Sequence, residues 1–181
     1  MPFVETATES ITFRVNAKIL DKLRNESKSH QISLSTLVNQ IFTQHVSWHA
    51  FAVDAGFITI LKCSLADMIK KITDNEIKQI ALDSVKNNAK DIVLFLRQEY
   101  SVNTVLELIE TWAKISGYHY KQTRQDNKIS FVIQHDLGKK WSLYLSTIWG
   151  HIFENFAQQK IDFDITSNTI AFTIVLQKQT A

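Results

Sequence analysis

Five residues near the N-terminus, Ile11-Thr-Phe-Arg-Val15, alternate apolar and polar side chains. That is the period-2 signature of a half-buried strand. Ile11, Phe13 and Val15 share one face, and Ser10, Thr12 and Arg14 share the other. Helical signals follow at once. Asn16 is a helix N-cap, and Ile19, Leu20, Leu23 and Ser27 form one face of a helix from Ala17 to about Ser29. Ser33 is a second N-cap, with Ile32 placed before it to staple onto Leu37. Leu34, Leu37, Val38, Ile41, Phe42, His45 and Val46 then recur at helical spacing. A five-residue strand with a single apolar face is not stable alone. It needs a partner, and the nearest one is its own copy in a second chain.

The rest of the chain reads as a separate domain. Helical periodicity stops near Trp48–Asp54, which predicts one domain over residues 1–50 and another over 51–181. Ser64 predicts a helix cap, and Thr73 with Glu76 predicts a capping box that opens a helix to about Lys86. The apolar stretch Ala89–Tyr100 fits helix or strand, and its centre, Ile92–Leu96, is read as a strand. Beyond it the pattern predicts a helix over Asn103–Ser116 closed by Gly117, strands His119–Thr123 and Lys128–Gln134, a helix from Lys139 to Gln158, and strands Lys160–Ile165 and Thr169–Leu176. Asn127, Ile129, Phe131 and Ile133 match Asn168, Ile170, Phe172 and Ile174 at a constant offset. The fold class is therefore α+β, with a C-terminal αββαββ domain built on one antiparallel sheet covered by helices.

Composition narrows the function classes. With 20 Lys and Arg against 18 Asp and Glu, the formal charge is +2, so any grip on nucleic acid must be local rather than a global basic field. The single cysteine, Cys63, excludes an intrachain disulfide and a Cys-rich metal site. No apolar run is long enough to span a membrane, and Met1-Pro2-Phe3-Val4-Glu5 lacks a basic-then-apolar leader pattern, so a cytoplasmic protein with no membrane partner is expected.

Strand, helix and capped helix within about 35 residues resemble the ribbon-helix-helix (Arc/MetJ/CopG-like) DNA-binding family. The resemblance lies in Ser10-Ile-Thr-Phe-Arg-Val15, in Ile19, Leu20 and Leu23, and in Ser33-Leu-Ser-Thr-Leu-Val38, about a quarter of the chain. It implies a homodimer or higher homo-oligomer whose two strands enter the major groove of double-stranded DNA, where base edges are distinguishable. Ser10, Thr12 and Arg14 are then the base contacts, Arg14 with two hydrogen bonds to a guanine edge. Ser33, Leu34 and Ser35 offer a phosphate the free amides of a helix N-terminus. In the turn between the helices, where the family often has Gly, this chain has His30-Gln31, so one of the two is expected to take a positive φ.

The reading is a dimeric transcriptional regulator whose C-terminal domain oligomerises or senses a small-molecule effector. The alternative is an antitoxin-like protein that binds a partner protein through that domain. No catalytic residues, cofactor or metal are expected. His45 and His49 are spaced i, i+4 without an acidic or Cys partner, and Ser142 and His151 fall on different helix faces. The dense C-terminal aromatics read as core and subunit interface; a ligand or haem pocket would draw on His135 or His151.

Overall fold

The structure, a computed structural model, describes residues 8–86, 90–97, 101–157 and 160–176. The chain divides into two compact units, Met1–Val46 and Ser47–Ala181. Of the expectations above, Ala89, residues 98–100 and Gln158 lie outside the described residues.

The first unit holds α1 (Ala17–Ser29) and α2 (Leu34–Gln44), packed on each other. The Asn16 side chain accepts from the Lys18 amide, and the Ser33 side chain accepts from the Thr36 amide, so both expected caps are formed. The end of α1 follows from backbone geometry. The Ile32 amide donates to the Ser27 carbonyl and the Gln31 amide to the Lys28 carbonyl, the two bonds of a Schellman closure. That closure needs a left-handed residue, and Gln31 supplies it at φ 56°. The strand expected over Ile11–Val15 is not formed: residues 8–16 carry no regular secondary structure. The reason is local, because a ladder needs a neighbouring strand and the described residues of the first unit contain none.

The second unit begins at Ser47. A π-helical turn, His45–His49, is followed by α3 (Ala50–Ala52). Buried Trp48 packs with Ala52, Phe57, Leu108 and Trp112, with its ring centroid 4.7 Å from that of Phe57. Next come α4 (Lys62–Lys70), α5 (Asp74–Ser84), α6 (Lys90–Arg97) and α7 (Val102–Ile115). The capping box of Thr73 and Glu76 is present, as expected. Two expectations fail here. Residues 92–96 are helical rather than a strand: Val93 is buried while Asp91 and Leu94 face water, a helical rather than an alternating pattern. Helix α4 starts at Lys62, before Ser64, which therefore lies within its first turn. A tertiary contact holds that start, with the Lys62 ammonium 4.6 Å from the Tyr118 ring centroid and 3.5 Å from the Gly117 carbonyl.

Helix α7 ends in the same closure as α1, the Tyr118 amide donating to the Ala113 carbonyl and Gly117 at φ 65°. The remaining elements are β1 (His119–Gln125), β2 (Lys128–Gln134), α8 (Lys139–Ala157), β3 (Phe163–Ile165) and β4 (Thr169–Val175). All pairings are antiparallel in the order β1-β2-β4-β3. The second unit is thus mixed helix and sheet, and its last part runs αββαββ. Ile129, Phe131 and Ile133 of β2 and Ile170, Phe172 and Ile174 of β4 are all buried, on the face that α7 and α8 cover.

The two hairpins are related by a pseudo-twofold. A shift of 41 residues (129 to 170, 131 to 172, 133 to 174) carries the pair Gln122 and Phe131 onto Phe163 and Phe172. It also carries one hydrogen bond onto another. The His135 amide donates to the Asn168 carbonyl at 2.9 Å, and the Leu176 amide donates to the Asn127 carbonyl at 2.7 Å. The axis passes through the Phe131–Phe172 pair, whose rings stack at 5.3 Å. Among the described residues no helix is long and apolar enough to cross a membrane.

Two stability measurements check this account. Phe131→Ala, which opens a cavity at the axis, is expected to cost about 3–5 kcal/mol in denaturant unfolding; a loss under about 1 kcal/mol would contradict the packing described. Gln31→Gly relieves a left-handed non-glycine residue and is expected to stabilise the first unit by about 0.5–1 kcal/mol, read from its thermal midpoint.

Candidate nucleic-acid interface

Asn16 starts α1, so residues 10–15 stand directly ahead of the helix pair. Ser10, Thr12 and Arg14 are all exposed, and among the described residues none makes a side-chain hydrogen bond or ion pair. The apolar residues between them are also solvent-accessible: Ile11 is 76% exposed, Phe13 51% and Val15 38%. Phe13 nevertheless meets α2, its ring centroid 6.1 Å from that of Phe42. Ile19, Ile41, Phe42 and Val46 of the helices are exposed as well. Backbone groups of residues 8–15 make no backbone hydrogen bond among the described residues.

The expected phosphate site lies at the start of α2. Ser33 is spent on its own helix: its Oγ accepts from the Thr36 amide at 3.0 Å and lies 2.8 Å from Thr36 Oγ1. The Leu37 amide is taken by the Ser33 carbonyl at 3.0 Å. The amides of Leu34 and Ser35 have no such partner among the described residues, so they are the donors left for an anion at the positive end of the helix dipole. Ser35 is exposed and Leu34 half-buried. Basic residues Lys18, Lys22, Arg24 and Lys28 are exposed along α1, with Arg24 bonded to Asp21 at 3.3 Å.

A polar cluster that sequence reasoning missed lies in the second unit. His135 and Ser142 are both fully buried, and His135 Nε2 is 2.7 Å from Ser142 Oγ. The geometry fixes the tautomer. The Leu137 amide donates to His135 Nδ1 at 3.0 Å, so Nδ1 carries no proton. Nε2–H therefore donates to Ser142 Oγ, whose own proton goes to the Thr166 carbonyl at 2.8 Å. This polarity is the reverse of nucleophile activation, in which the hydroxyl proton moves toward the imidazole. Asp136 does not support the ring either; its carboxylate accepts from Gln134 Nε2 at 3.1 Å. The cluster ties the end of β2 and the start of α8 to the β3–β4 turn. Both His135 nitrogens are thereby engaged, which leaves none for a haem iron. Its partner was legible only in part: residues 135 and 142 are seven apart, across a turn where Asp136 takes φ 59°. His151 is half-buried on α8. Among the described residues no group of three or more His, Cys, Asp or Glu side chains gathers.

No family model matches the chain. No curated protein matches it either.

Burial pushes the His135 imidazole down from 6.5 to about 4. The folded-state value is depressed, so its contribution to stability is complete above pH 6.5 and falls as acid protonates the unfolded chain first, levelling out below about pH 4. Between pH 7 and pH 5 the loss is expected to be about 2 kcal/mol. Urea unfolding at both pH values, on the wild type and on His135→Gln, measures it; equal pH dependence in the two proteins would rule it out.

Proposed function

We propose that this protein is a dimeric, sequence-specific DNA-binding regulator that reads the major groove with residues 10–15. The observation that carries the reading is a segment of alternating character with unused bonding capacity. Among the described residues its backbone groups find no hydrogen-bond partner and its apolar residues are only partly covered, although Phe13 has already found Phe42. Aligning the same segment of a second copy antiparallel to it would satisfy the backbone groups and cover Ile11, Phe13 and Val15. The polar residues Ser10, Thr12 and Arg14 would then form the outer face of a two-stranded ribbon, a shape the major groove admits.

The division of labour follows from the chemistry of each group. Arg14 is a fork of donors suited to a guanine edge, and Thr12 and Ser10 each donate or accept. The Leu34 and Ser35 amides would position the protein on a phosphate without contributing to sequence choice. This arrangement suits a chain of +2 net charge, because helix-end amides attract phosphate without adding formal charge. The second unit would then serve oligomerisation or effector sensing.

Selection of bound sequences from random DNA tests the proposal. Arg14→Ala is expected to relax preference at one base pair in each half-site, at about 1–3 kcal/mol per contact, with the fold intact by circular dichroism. Wild-type binding is expected to weaken steeply with salt, since phosphates are contacted. The absence of any selected sequence, or an unchanged preference in the variant, would remove the ribbon and Arg14 from the readout.

A further inference from the structure

The helices cover one face of the four-stranded sheet, and the other face is open. On that open face one row of residues runs straight across all four strands. Lys121 of β1 is in register with Val132 of β2, Val132 with Ala171 of β4, and Ala171 with Asp164 of β3. The row reads cation, large apolar, small apolar, anion. Lys121 and Asp164 are exposed, and neither makes an ion pair among the described residues. Val132 is 44% exposed at the centre of the sheet. The next row holds Ser130 against Thr173, their hydroxyls 2.8 Å apart and so satisfied by one another. Over these rows lies a groove of about 440 Å³, whose charged lining residues are Asp162, Asp164 and Lys160.

We infer that this open sheet face docks on the same face of a second copy, with β1 of each copy lying over β3 of the other. A row of this kind is complementary to its own reverse. Rotating one sheet by half a turn, about an axis between the sheets and along the strands, exchanges left and right edges. Lys121 then lies over Asp164 of the second copy, and Asp164 over its Lys121. Val132 faces the small Ala171, so a large side chain meets a small one twice. Aligned sheets pack ~10 Å apart within ~30° of parallel, which keeps such rows opposed near the axis. The other twofold axis, across the strands, would set β1 over β1 and Lys121 over Lys121, and like charges oppose it. An interface closed by one twofold uses the same patch on both chains, as this row requires. The groove gives room for the incoming Lys121 side chain beside Asp162 and Asp164, two carboxylates against the single cation Lys160.

This contact is independent of the N-terminal ribbon, and the test keeps the two apart. Light scattering is run on the full chain carrying Ile11→Lys and Phe13→Lys, which disables the ribbon. That protein is expected to remain a dimer. Adding Lys121→Asp is expected to reduce it to one chain, and adding Asp164→Lys to that variant is expected to restore two, with circular dichroism unchanged throughout. A single-chain mass before Lys121 is altered overturns the inference; calorimetric uptake of a probe diamine by that monomer would then assign the groove to a small cation. A dimer that persists after Lys121→Asp, or is not restored by the reversal, overturns it too. The ribbon reading is judged separately, by whether Ile11→Lys and Phe13→Lys lower the mass or abolish DNA binding relative to the wild type.

Discussion

The antiparallel pairing of β2 with β4 is the constraint on which the second unit depends. It sets Ile129 against Ile174, Phe131 against Phe172 and Ile133 against Ile170, so a single register buries six large side chains on one face. A slip of one residue would turn all of them to the other face, so burial itself enforces the register. Around that pair everything else is peripheral. Trp149 and Phe153 of α8 and Phe163 of β3 all approach the Phe172 ring, at 5.5, 5.9 and 5.4 Å between centroids. The hairpin strands β1 and β3 are added at the edges, and the Asn127 and Asn168 carbonyls close the two ends of the central pair in the same way.

The first unit is governed by the opposite condition, a shortage of partners. Two helices of 13 and 11 residues bury little between them: Leu37 and Ser27 are its buried residues among those described. Single helices of that length are marginal in water, and caps add only about 1 kcal/mol each. Exposed Ile11, Phe13, Ile19, Ile41, Phe42 and Val46 are a large apolar supply for so small a body. The same residues that leave the unit thinly packed are those a second copy could cover. Stability and assembly are therefore one question for this part of the chain, in a way they are not for the sheet-centred unit.

Where periodicity and a cap agreed, the sequence was readable. Asn16, Ser33 and the Thr73–Glu76 box each mark a true helix start, and the alternation at Ile129–Ile133 and Ile170–Ile174 marks the two central strands. Reading failed where tertiary contacts decided. Ile92–Leu96 is too short and too apolar for its period to separate helix from strand, and packing with α7 resolved it. The His135–Ser142 bond could not be read from spacing, because a left-handed Asp136 and Gly138 bring the two together. Of the DNA-facing candidates, exposure and caps were legible, whereas the expected strand at residues 11–15 depends on a neighbour that one chain cannot supply.

The pseudo-twofold also bears on how the sheet can be used. A duplicated hairpin whose two halves stayed alike would carry the same charge on both edges, and such a face repels its own copy in the orientation that sets edge over opposite edge. Here the halves differ at the positions that matter. The shift of 41 residues (121 to 162, 123 to 164) places Asp162 where the other half has Lys121, and Asp164 where it has Thr123. The buried face carries a matching set of Ile and Phe, as a shared core that tolerates little change in volume requires. The open face is not held to that match, and its charges differ in sign, Lys121 against Asp162. A sheet that is symmetric inside and polar from edge to edge outside can tell its own reverse from its own copy, which is the minimum a self-docking surface needs to choose one orientation.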